Sequence, residues 1–262
     1  MNPEPGQPSS LPPVAAADAE PQGLLSRIAG VYFSPRETFA AIGRAPKFIL
    51  PMVILAVLAA ASNFLMTERI GYENLMRKQM QPMVERGFLT QEQADEQIQR
   101  RSTGTAAIIG KVQGPVTTGI GVVLIVLAIT GLFKLYSLII GSENRFKPLL
   151  GVTTYTFLAL SLIQTVLFVI VLYLKDPEEI DLINPVGSNL AALLSLVSTA
   201  PSKFVKALAS WVDVFGIWRI ALLSIGYAAV SHKMKVSTPA VFLIVLYIIC
   251  AVLISLLAST FM

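Results

Sequence analysis

Apolar residues in this chain run in long, nearly uncharged blocks separated by short polar connections. They neither alternate as in a half-buried strand nor stripe one face as in a soluble helix. The first block, FILPMVILAVLAAASNFLM at 48–66, has 19 residues. At a rise of about 1.5 Å per residue it reaches about 28 Å, close to the hydrocarbon thickness of a bilayer. Pro51 falls in its first turn, where a missing amide costs little. A second block covers 115–140, with Lys134 near one end and able to reach the headgroups. The third, 149–174, is 26 residues without a charge, and Gln164 at its middle should face another helix. The last two, 211–232 and 238–261, flank the tight basic turn His232-Lys233-Met234-Lys235. The pattern predicts an all-α integral membrane helical bundle with five transmembrane helices plus short interfacial helices.

Between and before these blocks lie shorter elements. Residues 1–23 are rich in Pro without apolar periodicity, which predicts a disordered tail. They lack the cationic start and apolar core of a signal peptide, so the first apolar helix is expected to stay as a membrane anchor. Leu24, Leu25, Ile28, Val31 and Tyr32 recur at helical spacing, with Ser26 and Arg27 pointing elsewhere. Ser34-Pro35-Arg36-Glu37 then reads as a capped start of a second short helix, with the Ser34 hydroxyl accepting an amide and Pro35 at the first helical position. The pair is expected either to pack on the bundle end or to meet lipid directly. The charged connection 67–110 is a polar helical loop, with a capping box at Thr90 and Gln93 predicting helix over 90–101 after a break at Gly87. The apolar stretch 190–200 is too short to cross, and is expected to be interfacial, re-entrant or a core helix beneath the bundle.

Composition agrees with this layout. Hydrophobic residues make up 54% of the 262 and charged residues only 14%, too few to cover a water-soluble core of this size. The net charge of +4 comes from Lys and Arg beside apolar segments, with no basic run interleaved with aromatics, so membrane flanks explain it and nucleic acid does not. Cys250 lies in an apolar run and reads as a small hydrophobe. His232 is the only histidine and has no Cys or Asp cluster beside it, so no metal site is expected. There is no phosphate loop, no His-Glu-x-x-His helix and no Gly-x-Ser-x-Gly elbow, so neither an enzyme nor a cofactor is expected. Gly110, Gly114, Gly119, Gly121 and Gly131 read as small residues for packing within the bundle, with homo-oligomerisation as the alternative.

Phe33-Ser34-Pro35 with Phe39 and Ile42, Pro46 and Pro51 entering the first span, and Lys147-Pro148 before the third form one set of motifs. Asp213-Val214-Phe215-Gly216-Ile217-Trp218 with Leu222 and Gly226, and Ser237-Thr238-Pro239-Ala240, form another. Over about residues 24–260 this layout resembles the Yip domain family of five-pass membrane proteins, in particular its bacterial branch. The resemblance implies a single membrane domain over 24–262, a bacterial inner membrane location, and a non-catalytic scaffold or adaptor in membrane organisation or trafficking-like processes. Its partners would be the lipid bilayer and membrane proteins met through 24–47 and the polar loops. Eukaryotic members look like partners of Rab-type GTPases and carry a DLYGP-like segment near the first span. That segment is missing here, which argues against carrying over a GTPase partner.

Candidate functional or motif residues are Ser34, Pro35, Asp213, Phe215, Trp218 and Arg219. A cation in a spanning helix costs about 2.5–3.5 kcal/mol at its centre and less near an end. Arg219 is therefore expected to anchor or bridge helices, while Asp213 caps the fourth span. Trp211, Trp218 and Tyr173 suit the headgroup level near span ends. The rival reading is a small-solute or ion transporter or channel component using Arg219 and Gln164. Arg27, Arg36, Arg44, Lys47, Arg145, Lys147, Lys233 and Lys235 all fall on the side of the N-terminus, which predicts a cytoplasmic N-terminus and a C-terminus opposite.

Overall fold

The computed structural model describes residues 23–182, 185–196, 202–231 and 233–261. The Pro-rich tail up to residue 22, the end of the 190–200 stretch and His232 lie outside the described residues. The described chain is an all-α bundle: α1 (Leu24–Phe33), α2 (Pro35–Arg44), α3 (Ile49–Ile70), α4 (Tyr72–Glu85), α5 (Gln91–Ser102), α6 (Gly104–Ile139), α7 (Phe146–Leu174), α8 (Leu190–Leu196), α9 (Lys203–Ser210), α10 (Val214–Val230) and α11 (Ser237–Phe261). Four of these, α3, α6, α7 and α11, are long and apolar enough to cross a membrane. Their outward residues, such as Val57, Leu124, Val166 and Ile248, are exposed and aliphatic, as suits surfaces that meet hydrocarbon.

α7 is the axis of the bundle. Every residue from Leu149 to Leu160 is buried, because α2, α3, α6 and α10 all pack around this half of the helix. Two of its buried threonines are satisfied locally or across helices, whereas the Thr156 hydroxyl has no partner among the described residues. Thr153 and Thr154 donate to the carbonyls one turn back at 3.0 and 2.7 Å. Thr130 of α6 bonds Thr153 at 2.9 Å, and Thr153 meets the Tyr227 hydroxyl of α10 at 2.7 Å. Phe133 stacks on the Tyr227 ring with centroids 3.9 Å apart. Three helices are thus tied at one level by a hydroxyl chain and a ring stack.

At one end of the bundle α1 and α2 fold over α7 and α10. Val31, Phe39 and Ile42 are fully buried there. Contrary to the sequence reading, Arg27 faces inward and Leu25 outward, at 4% and 80% exposure. The cause is an acceptor: the Arg27 guanidinium donates to the Ala45 carbonyl at 2.9 Å, beyond the end of α2, and lies 6.0 Å from the Tyr155 ring. The α6–α7 and α10–α11 turns meet at this same end, with the Ser142 and Ser231 hydroxyls 3.3 Å apart.

The other end carries the polar loop, which folds as two helices, α4 and α5, and not α5 alone. The expected capping box forms, with the Gln93 amide donating to the Thr90 hydroxyl at 3.1 Å and the Gln93 side chain accepting from the Thr90 amide at 3.0 Å. Lys78 of α4 donates to the carbonyls of Pro177, Glu178 and Ile180 at 3.0, 2.7 and 3.1 Å, fastening the loop after α7. Beneath it Ile70, Leu75, Phe168, Leu172 and Ile180 form a second small core.

The second span departs from its expected entry. α6 starts at Gly104 and runs on through Pro115, because the residues before the proline already pack on neighbouring helices. Gly110 abuts Tyr72, Gly114 faces Asn63, and a Cβ on Gly119 would sit 3.0 Å from the Ala56 carbonyl of α3. Gly121 and Gly131 face open space instead.

Candidate functional site

The stretch expected as the fourth span, 211–232, is not one continuous helix: it holds α10, a 17-residue apolar helix, preceded by a break. α9 ends at Ser210 and α10 begins at Val214, with Trp211, Val212 and Asp213 between them. This break sits beside Ser62, Gln164 and Tyr247, which lie well inside α3, α7 and α11. α10 therefore starts deep in the bundle, and its 17 residues cover only about 25 Å. Asp213 explains where it starts. Its backbone is extended, and its carboxylate accepts the Gly216 amide at 2.9 Å as an N-cap.

Exposed backbone at this depth must find partners. The loop before α8 supplies them: the Leu190 amide donates to the Val212 carbonyl at 2.9 Å, and Val214 to Ser188 at 3.5 Å, an isolated antiparallel bridge. Ser188 also donates its hydroxyl to Asp213 at 2.5 Å. The Trp211 carbonyl is met by the Tyr247 hydroxyl of α11, whose ring stands edge-on to the indole at 5.3 Å. Asn189, buried, accepts the Ala192 amide at 3.0 Å and starts α8.

These segments enclose a cleft of about 430 Å³, the size of a small-ligand site. Ser62, Ser161, Gln164 and Thr165 line one wall from α3 and α7, while Ser188, Asn189, Trp211 and Asp213 line the other. Arg219 and Tyr247 also face it. The Arg219 guanidinium lies 4.7 Å over the Phe157 ring of α7, and its buried Nε has no hydrogen-bond partner. Among the described residues it forms no ion pair, since the four that occur are Arg77–Glu73, Arg77–Asp95, Arg100–Glu96 and Lys111–Glu68. Those pairs belong to the polar loop and its flanks, where the Asp95 carboxylate, with Glu73, raises the Arg77 guanidinium above its ordinary value.

The six residues singled out by sequence separate into three places. Asp213 and Arg219 share the cleft with Gln164. Phe215 is buried in the main core, and Trp218 packs against Tyr32 of α1 with ring centroids 6.0 Å apart, away from the cleft. Ser34 and Pro35 make the α1–α2 corner. Pro35 does open α2, but the Ser34 hydroxyl makes no capping bond; its amide instead closes α1 on the Gly30 carbonyl at 2.8 Å. Ser62, Ser161, Thr165, Ser188 and Tyr247 were missed, because single hydroxyls in apolar runs carry no signal until the fold brings them together. No group of three His, Cys, Asp or Glu side chains able to share a metal ion occurs among the described residues.

Comparison with known proteins adds one match. No curated protein and no solved structure matches the chain. The profile described as the Yip1 domain matches residues 29–260, from the middle of α1 to the end of α11. A match over nearly the whole membrane bundle, with the elements in the expected order, places this multi-pass membrane protein in the Yip1 domain family.

Proposed function

We propose that the protein is a non-catalytic scaffold that recruits other membrane components through its N-terminal helix pair. The observation that carries the reading is the outer face of α1, where Leu25 and Phe33 stand 80% and 86% exposed while Val31, on the opposite side, is locked into the core. Large apolar side chains held out on a rigid support suit an interface with a second protein at the membrane surface. Arg36, Arg44, Lys47, Arg145, Lys147, Lys233 and Lys235 are exposed at the same end of the bundle, which supports a cytoplasmic placement of that end. The loop helices α4 and α5 offer partners a second surface on the opposite end, charged instead of apolar, with the pairs Arg77–Glu73, Arg77–Asp95 and Arg100–Glu96.

Deleting residues 24–47 is a poor test, since Phe39 and Ile42 are part of the core. A photo-crosslinking side chain placed at Leu25 or Phe33 in cells is the better one. The reading expects discrete protein adducts that disappear with Leu25→Ser or Phe33→Ser and persist with Val53→Ser on the outer face of α3. Adducts to lipid alone would remove the claim. A solute flux in liposomes abolished by Arg219→Gln in folded protein would replace it with transport.

A further inference from the structure

The scaffold reading leaves the cleft at the break before α10 unused. Its one strong cation, Arg219, is held over Phe157 with a buried Nε that has no hydrogen-bond partner among the described residues. A charged donor kept in an apolar bundle without an acceptor is costly, and most such groups are satisfied by a partner. Asp213 lines the same cleft and its charge acts on Arg219 across it, but no ion pair forms and the two carboxylate oxygens accept from Ser188 and the Gly216 amide. The remaining wall offers hydroxyl and amide groups from Ser161, Gln164 and Thr165. Neighbours of that wall in sequence, Val57 and Val166, are exposed and apolar, so acyl chains have a surface to lie on.

We infer that the cleft binds a phosphodiester oxyanion against the Arg219 guanidinium. Arginine's planar fork suits a phosphate group, and the hydroxyl and amide wall can hold its remaining oxygens or ester substituents. A singly charged diester fits better than a dianion, because the Asp213 carboxylate shares the space. The diester arrives either as the headgroup of a phospholipid or as a soluble phosphodiester. This inference rests on the membrane fold and is independent of the scaffold reading, whose crosslinking test addresses another surface.

The full chain, delipidated in uncharged detergent, is titrated with dihexanoyl phosphatidylglycerol and separately with glycerophosphoglycerol, its deacylated headgroup. Binding is followed by fluorescence of Trp211, which lines the cleft, in a Trp218→Phe background. Saturable binding is expected, weakened about tenfold or more by Arg219→Gln and only partly restored by Arg219→Lys, which keeps the charge without the fork. Ser161→Leu, which fills the cleft and leaves the guanidinium in place, should weaken it as strongly. Tighter binding of the lipid assigns the site to the membrane, whereas equal binding assigns it to a soluble diester. Absence of saturable binding by either probe overturns the inference. So does unchanged affinity in folded Arg219→Gln or, should that variant misfold, in Ser161→Leu.

Discussion

Gly226 shows at the scale of one residue how closely α10 seats in the bundle. A Cβ there would run into Val152 of α7 and the Phe39 ring of α2, neither of which has room to withdraw in a buried core. Gly226→Ala should therefore destabilise by about 1–3 kcal/mol, the usual cost of overpacking. Gly131 of α6 faces open space, so Gly131→Ala should be neutral or stabilising by about 0.5–1 kcal/mol through helix propensity. Thermal unfolding of the two variants in detergent checks the opposite signs. The sequence points to Gly226 as a motif residue, but it distinguishes neither glycine by space. Asp213 was legible as a cap because acceptors at helix starts follow a local rule. Arg219 was conspicuous by its charge, yet its surroundings depend on four other elements.

Among the elements, the connections carry more than their polarity suggests. Lys78 holds three carbonyls after α7, and Lys78→Met should leave them short of a donor. The expected loss is about 1–3 kcal/mol of local stability, seen as faster proteolysis at 175–182 with the rest of the bundle intact. Asp213→Ala should cost about 0.5–2 kcal/mol by uncapping α10, and Asp213→Asn, which still caps, much less. Unfolding midpoints of the two variants measure that difference. The long helices were legible because an uncharged run of this length has few other fates. α4 was not, since it opens at Gly71 without a side-chain cap and carries Pro82 inside, so neither its start nor its length has a local signal. The break between α9 and α10 was invisible for another reason: it is stabilised by backbone bonds to Ser188 and Leu190 and by Tyr247, contacts that no local pattern encodes.

At the scale of the molecule, the two ends differ in kind. One gathers the N-terminal helix pair, two short turns and seven exposed cations with few acidic neighbours; the other gathers α4, α5 with their mixed charges and the loop tied to Lys78. Four long apolar helices join these ends, with the shorter α10 packed against α7, and the exposed aliphatic surface between them needs hydrocarbon as its solvent. The most direct test is side-specific labelling of single cysteines in sealed membranes, in a Cys250→Ala background. Cysteines at Arg36 and Lys235 should react from one side only, and those at Glu92 and Glu178 from the other only. Reaction of all four from the same side, or recovery of the chain in the aqueous fraction without detergent, would contradict a bundle that spans the bilayer.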